Sequence, residues 1–299
     1  CLGGRTVESS LRAAGSAVFA GCQKHQGAPA VHAVARPRIL NVDLGQGTTM
    51  EFVYVDARGA TNTPEIRPFY IGRTEVSNGQ FRRVRPTYES SQHGRDHIID
   101  YQAFVKSLHP EFDTDDQPAV YVPWADANAF AEWLSERTEH NVRLPTEREW
   151  ETACRAGTTS RFSWGDDESR AFRHANTNDP LTAELFKMAG PFPCDDAHRV
   201  TAPVGSFAPN PYGLFDMHGN AAEWTSDLWR EPVLGPLADD GSEPGDPRKR
   251  VVKGGDFTCR PDGRAFFSCE CAAKSWNYLG NSNFGTGFRI VIDAENLPP

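Results

Sequence analysis

Glycine and proline punctuate this chain too densely for long regular elements. The 26 glycines and 22 prolines fall among 299 residues, roughly 16% against an average near 12%. Each glycine weakens a helix and each proline breaks one. A bundle of long helices is therefore excluded, and a loop-rich α+β domain is expected. At 38% hydrophobic the chain can still bury a substantial core,.

Between the breakers, a few segments keep a period. Residues 51–55 (EFVYV) and 68–72 read as strands by their β-branched and aromatic content,. Ser77 followed by Gln80 is a capping box that opens a short helix toward Phe81 and Val84,. Ala127, Phe130, Ala131 and Leu134 follow the i, i+3, i+4, i+7 spacing of one buried face, which predicts a helix over 124–137. Thr146 and Glu149 form a second capping box after Pro145, with Trp150, Ala153 and Cys154 as the buried stripe behind it,. After Gly157 the helical signal fades. Residues 85–118 read as a polar insertion, and 231–250, rich in Gly, Pro and Asp, as an exposed loop,.

The net charge of −9 argues against nucleic-acid partners and anionic membrane surfaces, which need a basic face,. No run approaches the ~18 apolar residues of a membrane-spanning helix. Residues 1–36 lack hydrophobic periodicity and read as a leader, with 37–299 as one domain. Within the leader, Phe19-Ala20-Gly21-Cys22 resembles a lipoprotein cleavage box after a short apolar run,. A lipid anchor there would be the chain's one contact with a membrane. The seven cysteines include no zinc-type CxxC pair, because Cys269-Glu270-Cys271 is CxC,. They suit a few disulfides in an oxidising compartment.

Four segments, in order, carry a resemblance. They are YIGRTEVSN from Tyr70, VPWADA from Val122 with RLPTEREWE from Arg143, APVGSF from Ala202 with YGLFDMHGN from Tyr212 and Glu223-Trp224, and RVVKGG from Arg250 closed by Gly287-Phe288-Arg289. Together they resemble the formylglycine-generating enzyme family, or sulfatase-modifying factor domain, across residues 70–291. The resemblance implies a fold similar to a C-type lectin, with two main helices, short strands and structural calcium. It also implies oxidation of a cysteine in a target sulfatase, or in another peptide or protein, to formylglycine, with dioxygen and a copper ion held by two thiolates. Other relatives make sulfoxides on iron, act in siderophore maturation or display variable binding surfaces, so membership alone does not fix function.

Carried over residue by residue, one calcium site would take side chains from Asp216 and Glu223 and carbonyls from Gly219 and Ala221. The other would use Asn176, the Thr177 carbonyl, Asp196 and the His198 carbonyl. Oxygen-only sets of this kind suit calcium and match copper or zinc poorly. Cys154 and Cys271 match the family's structural disulfide. The positions of its other bridge are Ala131 and Ile290, so both partners are missing together. That consistency supports an extracytoplasmic location: periplasmic, secreted or lipid-anchored.

The copper pair is where the chain departs. The family pattern after KGG is S-x-x-C-x4-C. Here Cys259 matches the first ligand, Arg264 stands at the second, Asp256 replaces the serine and Ala222 replaces a tryptophan. Cys269 would serve as the second thiolate only if the intervening residues loop out. The other fates open to Cys259 are a disulfide with Cys269 or Cys194, or a buried free thiol. His93 and His97 are four apart, but in a polar stretch that reads as solvated loop. Two functions are expected in competition: an oxygen-dependent oxidase with an altered cysteine pair, and a non-catalytic lectin-like module. The module would recognise a protein, peptide or glycan through residues 256–284, where Phe266, Phe267, Trp276, Tyr278 and Phe284 gather.

Overall fold

A computed structural model describes residues 36, 38–56, 66–92, 112–231, 245–260, 268–281 and 283–296. The leader, except its last residue, and the two histidines at 93 and 97 lie outside them, as do Phe266 and Phe267. Two sheets organise the domain. The first is built from β1 (Ile39–Gly45), β2 (Thr48–Val55), β3 (Phe69–Gly72), β4 (Val142–Arg143) and β9 (Val291–Asp293) in the order β1-β2-β3-β9-β4. The second is built from β5 (Ala222–Trp229), β6 (Asp246–Lys253), β7 (Ser275–Tyr278) and β8 (Thr286–Gly287) in the order β7-β6-β5-β8. Among the strands of the described residues, only the β5–β8 pair is parallel.

The EFVYV and FYIG segments pack on both sides because successive strand residues face opposite ways. Phe52, Tyr70 and Ile292 join the core on one face, and Val53, Ile71 and Val291 the core on the other. The helices divide accordingly. Helix α2 (Trp124–Thr138) buries Ala127, Phe130, Ala131 and Leu134 against the first face. Helix α3 (Glu147–Arg155), opened by the Thr146–Glu149 capping box, buries Trp150, Ala153 and Cys154 against the second. The Ser77–Gln80 box also forms and starts α1 (Asn78–Phe81).

Two expectations need correcting. Asp179 caps a helix α4 (Pro180–Phe186) with proline in its first turn, although the helical signal was expected to end at Gly157. The exposed loop expected over 231–250 gives way to β6 from Asp246 onward, because Arg250, Val251 and Val252 pair with β7.

Candidate functional site

The turn of residues 216–223 closes over a buried carboxylate centre. Glu75, Asp216, Glu223 and Arg289 are each at most 2% exposed. Arg289 donates Nε to Glu223 Oε2 at 2.6 Å and Nη2 to Oε1 at 2.7 Å. Trp150 Nε1 adds a third bond to Oε2 at 2.6 Å. Asp216 Oδ2 accepts from the Gly205 amide at 2.6 Å, and Glu75 Oε1 from Asn220 Nδ2 at 2.9 Å. Asp216 Oδ1 and Glu75 Oε2 are left buried with no donor, and the two acids are in contact. Three carboxylates thus share one guanidinium. Burial, then the Asp216 charge, push Glu75 well above the usual carboxylate range. Burial pushes Asp216 up to about 6.

Two orphaned hard oxygens in an anionic pocket are the donor type a calcium ion takes, so this centre fits the cation. The fit differs from the expected set in one respect. Glu223 accepts three hydrogen bonds from Arg289 and Trp150, and a carboxylate oxygen without a hydrogen-bond partner comes from Glu75, which the sequence reading left out. Gly219 holds the turn shut with φ of +73°, where an added Cβ would stand 1.8 Å from the Asn176 carbonyl oxygen.

That contact ties the first centre to a second. Asn176 donates Nδ2 to Val200 O at 2.8 Å and to Asn220 Oδ1 at 3.0 Å, leaving its own Oδ1 buried without a partner. Asp196 accepts from the amides of Thr177 at 2.8 Å and His198 at 3.1 Å. Asp179 caps α4 through Thr182 N at 2.7 Å, accepts from Asp196 N at 3.1 Å, and touches Asp195. Burial first, with the Asp179 charge adding, pushes Asp196 up to about 7. The orphaned Asn176 oxygen and these crowded acids also fit calcium. Asp179 and Asp195 were not anticipated, and a run of acids beside a helix cap was the available signal. The carbonyls of Thr177 and His198 each accept a hydrogen bond as well, from the Asp179 amide at 2.7 Å and the Thr182 hydroxyl at 3.2 Å.

All four cysteines near the KGG turn are fully buried. Cys259 and Cys269, both free thiols, pack together in a cluster with Phe162, Ala171 and Phe192, although nine residues separate them. Gly255 permits this approach, since a Cβ there would lie 3.0 Å from Cys259 Cβ and 3.2 Å from Cys269 Cα. Burial pushes the Cys259 thiol well up, and Cys269 adds to it. Cys194, by contrast, donates to the Ser169 carbonyl at 3.5 Å and is not the partner of Cys259. Asn178, whose amide N–H donates to Cys259 O at 3.0 Å, buries both its side-chain polar atoms without partners.

Cys154 and Cys271 form the second pair, as free thiols with sulfurs 2.7 Å apart. His218 lies between the two pairs. Its Nδ1 is 2.7 Å from the Cys269 carbonyl, which can only accept, so the proton sits on Nδ1,. Nε2 is then a lone pair that accepts the Ser163 amide at 3.2 Å and stands 3.6 Å from Cys154 Sγ and 3.9 Å from Cys271 Sγ. The Cys154 hydrogen bond, with His218 beside it, pulls Cys271 down, while burial pushes Cys154 up.

The expected recognition face over 256–284 is only partly a surface. Phe257 is buried and packs with the half-buried Phe186 and Phe284, while Trp276 and Tyr278 stand on the edge strand β7 with Lys249 3.7 Å from the indole centre. Tyr278 is exposed.

A family profile described as the sulfatase-modifying factor enzyme 1-like domain matches residues 30–294. The chain is 31% identical over 294 residues to the formylglycine-generating enzyme of Bos taurus, covering 84% of this chain and 72% of that protein. It is also 29% identical over 187 residues to a Bos taurus protein named inactive C-alpha-formylglycine-generating enzyme 2, covering 60% of this chain and 52% of the other. Among solved structures, PvdO from Pseudomonas aeruginosa shares the fold with a TM-score of 0.61 at 24% identity, over 87% of this chain and all of that one.

Proposed function

Because this chain belongs to the sulfatase-modifying factor enzyme 1-like family, we propose that it oxidises a cysteine of a peptide or protein to formylglycine at the Cys259–Cys269 pair. A sulfatase is the substrate class the family suggests, and the compartment is extracytoplasmic. One observation carries this reading: the second thiol, displaced in sequence from the family's C-x4-C spacing, still meets the first in space. Two adjacent thiolates are a soft donor set suited to Cu(I), and copper bound there would supply activation of dioxygen. Both sulfurs must give up their protons to hold it. The chain's own contribution is a dry, aromatic-walled seat that positions the pair and keeps bulk water from the reacting sulfurs.

Calcium has a structural role in this reading. Asp216 and Glu75 hold it in the first centre with carbonyls of the turn from Gly219 to Ala221. Asn176 and Asp196 hold it in the second, with the Thr177 and His198 carbonyls. The orphaned oxygens support this, and two filled centres would brace the loops that carry the cysteines.

The test is incubation of the full chain, reduced and loaded with Cu(I), with a CxPxR-type peptide in air, followed by mass spectrometry. Conversion of the peptide cysteine is expected, and it should disappear in both Cys259→Ser and Cys269→Ser. A chain that binds copper at this pair yet converts no peptide cysteine contradicts the oxidase reading. That outcome favours the non-catalytic binding module, since the family includes relatives named as inactive.

A further inference from the structure

Three buried side chains from three separate segments converge on one point. Cys154 ends the buried stripe of α3, His218 sits in the turn before β5, and Cys271 follows the KGG turn, so the cysteines lie 64 and 53 positions from the histidine. Each is at most 2% exposed. Their two sulfurs and the histidine nitrogen all lie within 4.8 Å of one another. Nε2 stands 3.6 Å from Cys154 Sγ and 3.9 Å from Cys271 Sγ. The imidazole is fixed so that this nitrogen carries a lone pair, because Nδ1–H is committed to the Cys269 carbonyl at 2.7 Å,. Phe162 and Trp164 meet the ring edge-on, with centroids at 5.8 and 4.7 Å. A carbonyl on the far nitrogen is the usual support of a metal-binding histidine, since it sets both tautomer and ring angle. A disulfide between the two sulfurs would need no lone pair aimed at it.

We infer that Cys154, His218 and Cys271 bind a zinc ion, at a site separate from the Cys259–Cys269 pair and from both calcium centres. Tetrahedral zinc takes thiolates at about 2.3 Å and imidazole at about 2.0–2.1 Å, which sets sulfur and nitrogen roughly 3.5 Å apart and two sulfurs roughly 3.8 Å apart. The distances from Nε2 are already close to that geometry. The sulfurs, 2.7 Å apart without the ion, separate by about 1 Å as it enters. Both thiols give up their protons to it. Charge favours zinc over Cu(I). Two thiolates and a neutral imidazole cancel the charge of Zn2+, whereas Cu(I) would leave a net negative charge in the interior. Lys253, which donates to the Cys271 carbonyl at 3.0 Å, is already paired with Glu151. The fourth position opens toward Ser163, whose hydroxyl and amide lie 3.0 and 3.2 Å from Nε2. Ser163 and Trp164 are only half-buried, so this side admits the ion and a water as fourth ligand. The bound ion would tie the end of α3, the turn of the first calcium centre and the segment after the KGG turn to one point.

The test needs neither copper nor peptide. The calcium-loaded full chain is reduced, freed of reductant without air, and titrated with Co2+ as a coloured stand-in and then with Zn2+. One equivalent of Co2+ should give the visible bands of a tetrahedral site and a thiolate charge-transfer band, and Zn2+ should abolish both. His218→Ala should weaken binding about tenfold or more, since losing a ligand costs at least what losing its support does. Cys271→Ser should remove most of the charge-transfer intensity, whereas Cys259→Ser should leave the titration as it is. Binding like wild type in His218→Ala or Cys271→Ser, or no binding in the wild-type chain, overturns the inference. If the variants fail to fold, X-ray absorption at the zinc edge of the loaded wild-type chain decides. Two sulfurs and one imidazole nitrogen are expected around the ion, and a shell without imidazole overturns the site.

Discussion

Arg289 grips Glu223 through two hydrogen bonds, Nε at 2.6 Å and Nη2 at 2.7 Å, with neither side chain reaching solvent. Arg289 also donates to the Gly72 carbonyl at 3.1 Å and the Phe215 carbonyl at 3.0 Å, so one guanidinium ties the first sheet to the turn before β5. Removing one member of such a pair strands the other charge in the interior, at a cost of about 3–5 kcal/mol. Arg289→Met should lose that much in denaturant unfolding, and adding Glu223→Gln should recover part of it. A loss below about 1 kcal/mol would place it among ordinary surface changes and refute the pairing.

Calcium removal should lower the melting temperature, and calcium rather than magnesium should restore it. Magnesium is smaller and keeps its octahedral water shell, which a cage of carbonyls and carboxylates fits badly. Binding to the native state alone stabilises it by roughly 2.7 kcal/mol at a hundredfold excess over Kd. Glu75→Gln and Asp216→Asn should each remove most of the response. A wild-type melting temperature indifferent to chelation contradicts the assignment.

The same centres set a pH dependence whose sign reverses with the cation. Without calcium, burial holds Asp216 at about 6 and Asp196 at about 7, both above the unfolded aspartate value,. Between the unfolded and folded values the native chain binds more protons, so stability is greatest at the acid end and falls as pH rises toward 7. With calcium saturating, protons compete with the cation and stability should rise over the same interval. Melting curves of the stripped and loaded chain across this range check both slopes, and parallel slopes would exclude the two aspartates.

Gly219→Ala should be far more damaging than Gly47→Ala. Both glycines have positive φ, +73° and +78°, so each substitution carries the left-handed penalty of about 1–2 kcal/mol,. An alanine at 47 meets nothing within 4 Å, whereas at 219 it drives into the Asn176 carbonyl. The excess loss at 219 should be accompanied by weaker calcium binding, measured by calorimetry. Equal losses at the two positions would show that the Asn176 contact is slack.

Local patterns made much of this fold legible. The capping boxes at Ser77 and Thr146 and the stripe from Ala127 to Leu134 depend on neighbours within one turn, and all three form. What escaped depends on distant partners. The start of β6 reads as loop because Asp246-Pro247-Arg248 has no strand character until β5 lies beside it, with Asp246 opposite Trp229. Glu75 stood inside a quoted motif, but its value as a donor comes from Asn220, 145 positions away. The grip of Arg289 on Glu223 was equally hidden, since a carboxylate's neighbours are not written beside it. The approach of Cys259 to Cys269 depends on Gly255, which no spacing rule encodes.

The strand order β1-β2-β3-β9-β4 has a consequence for how the protein is made. Val291–Asp293 is hydrogen-bonded to Phe69–Ile71 on one side and Val142–Arg143 on the other. During vectorial synthesis the first sheet therefore stays split until almost the last residues described here have emerged. Nascent chains stalled short of residue 291 present two raw strand edges, the kind of surface that pairs with other chains. Such contacts between segments far apart in sequence also slow folding. The domain thus commits late and as a whole, and a cell producing it must guard an open sheet until residues 291–293 have emerged.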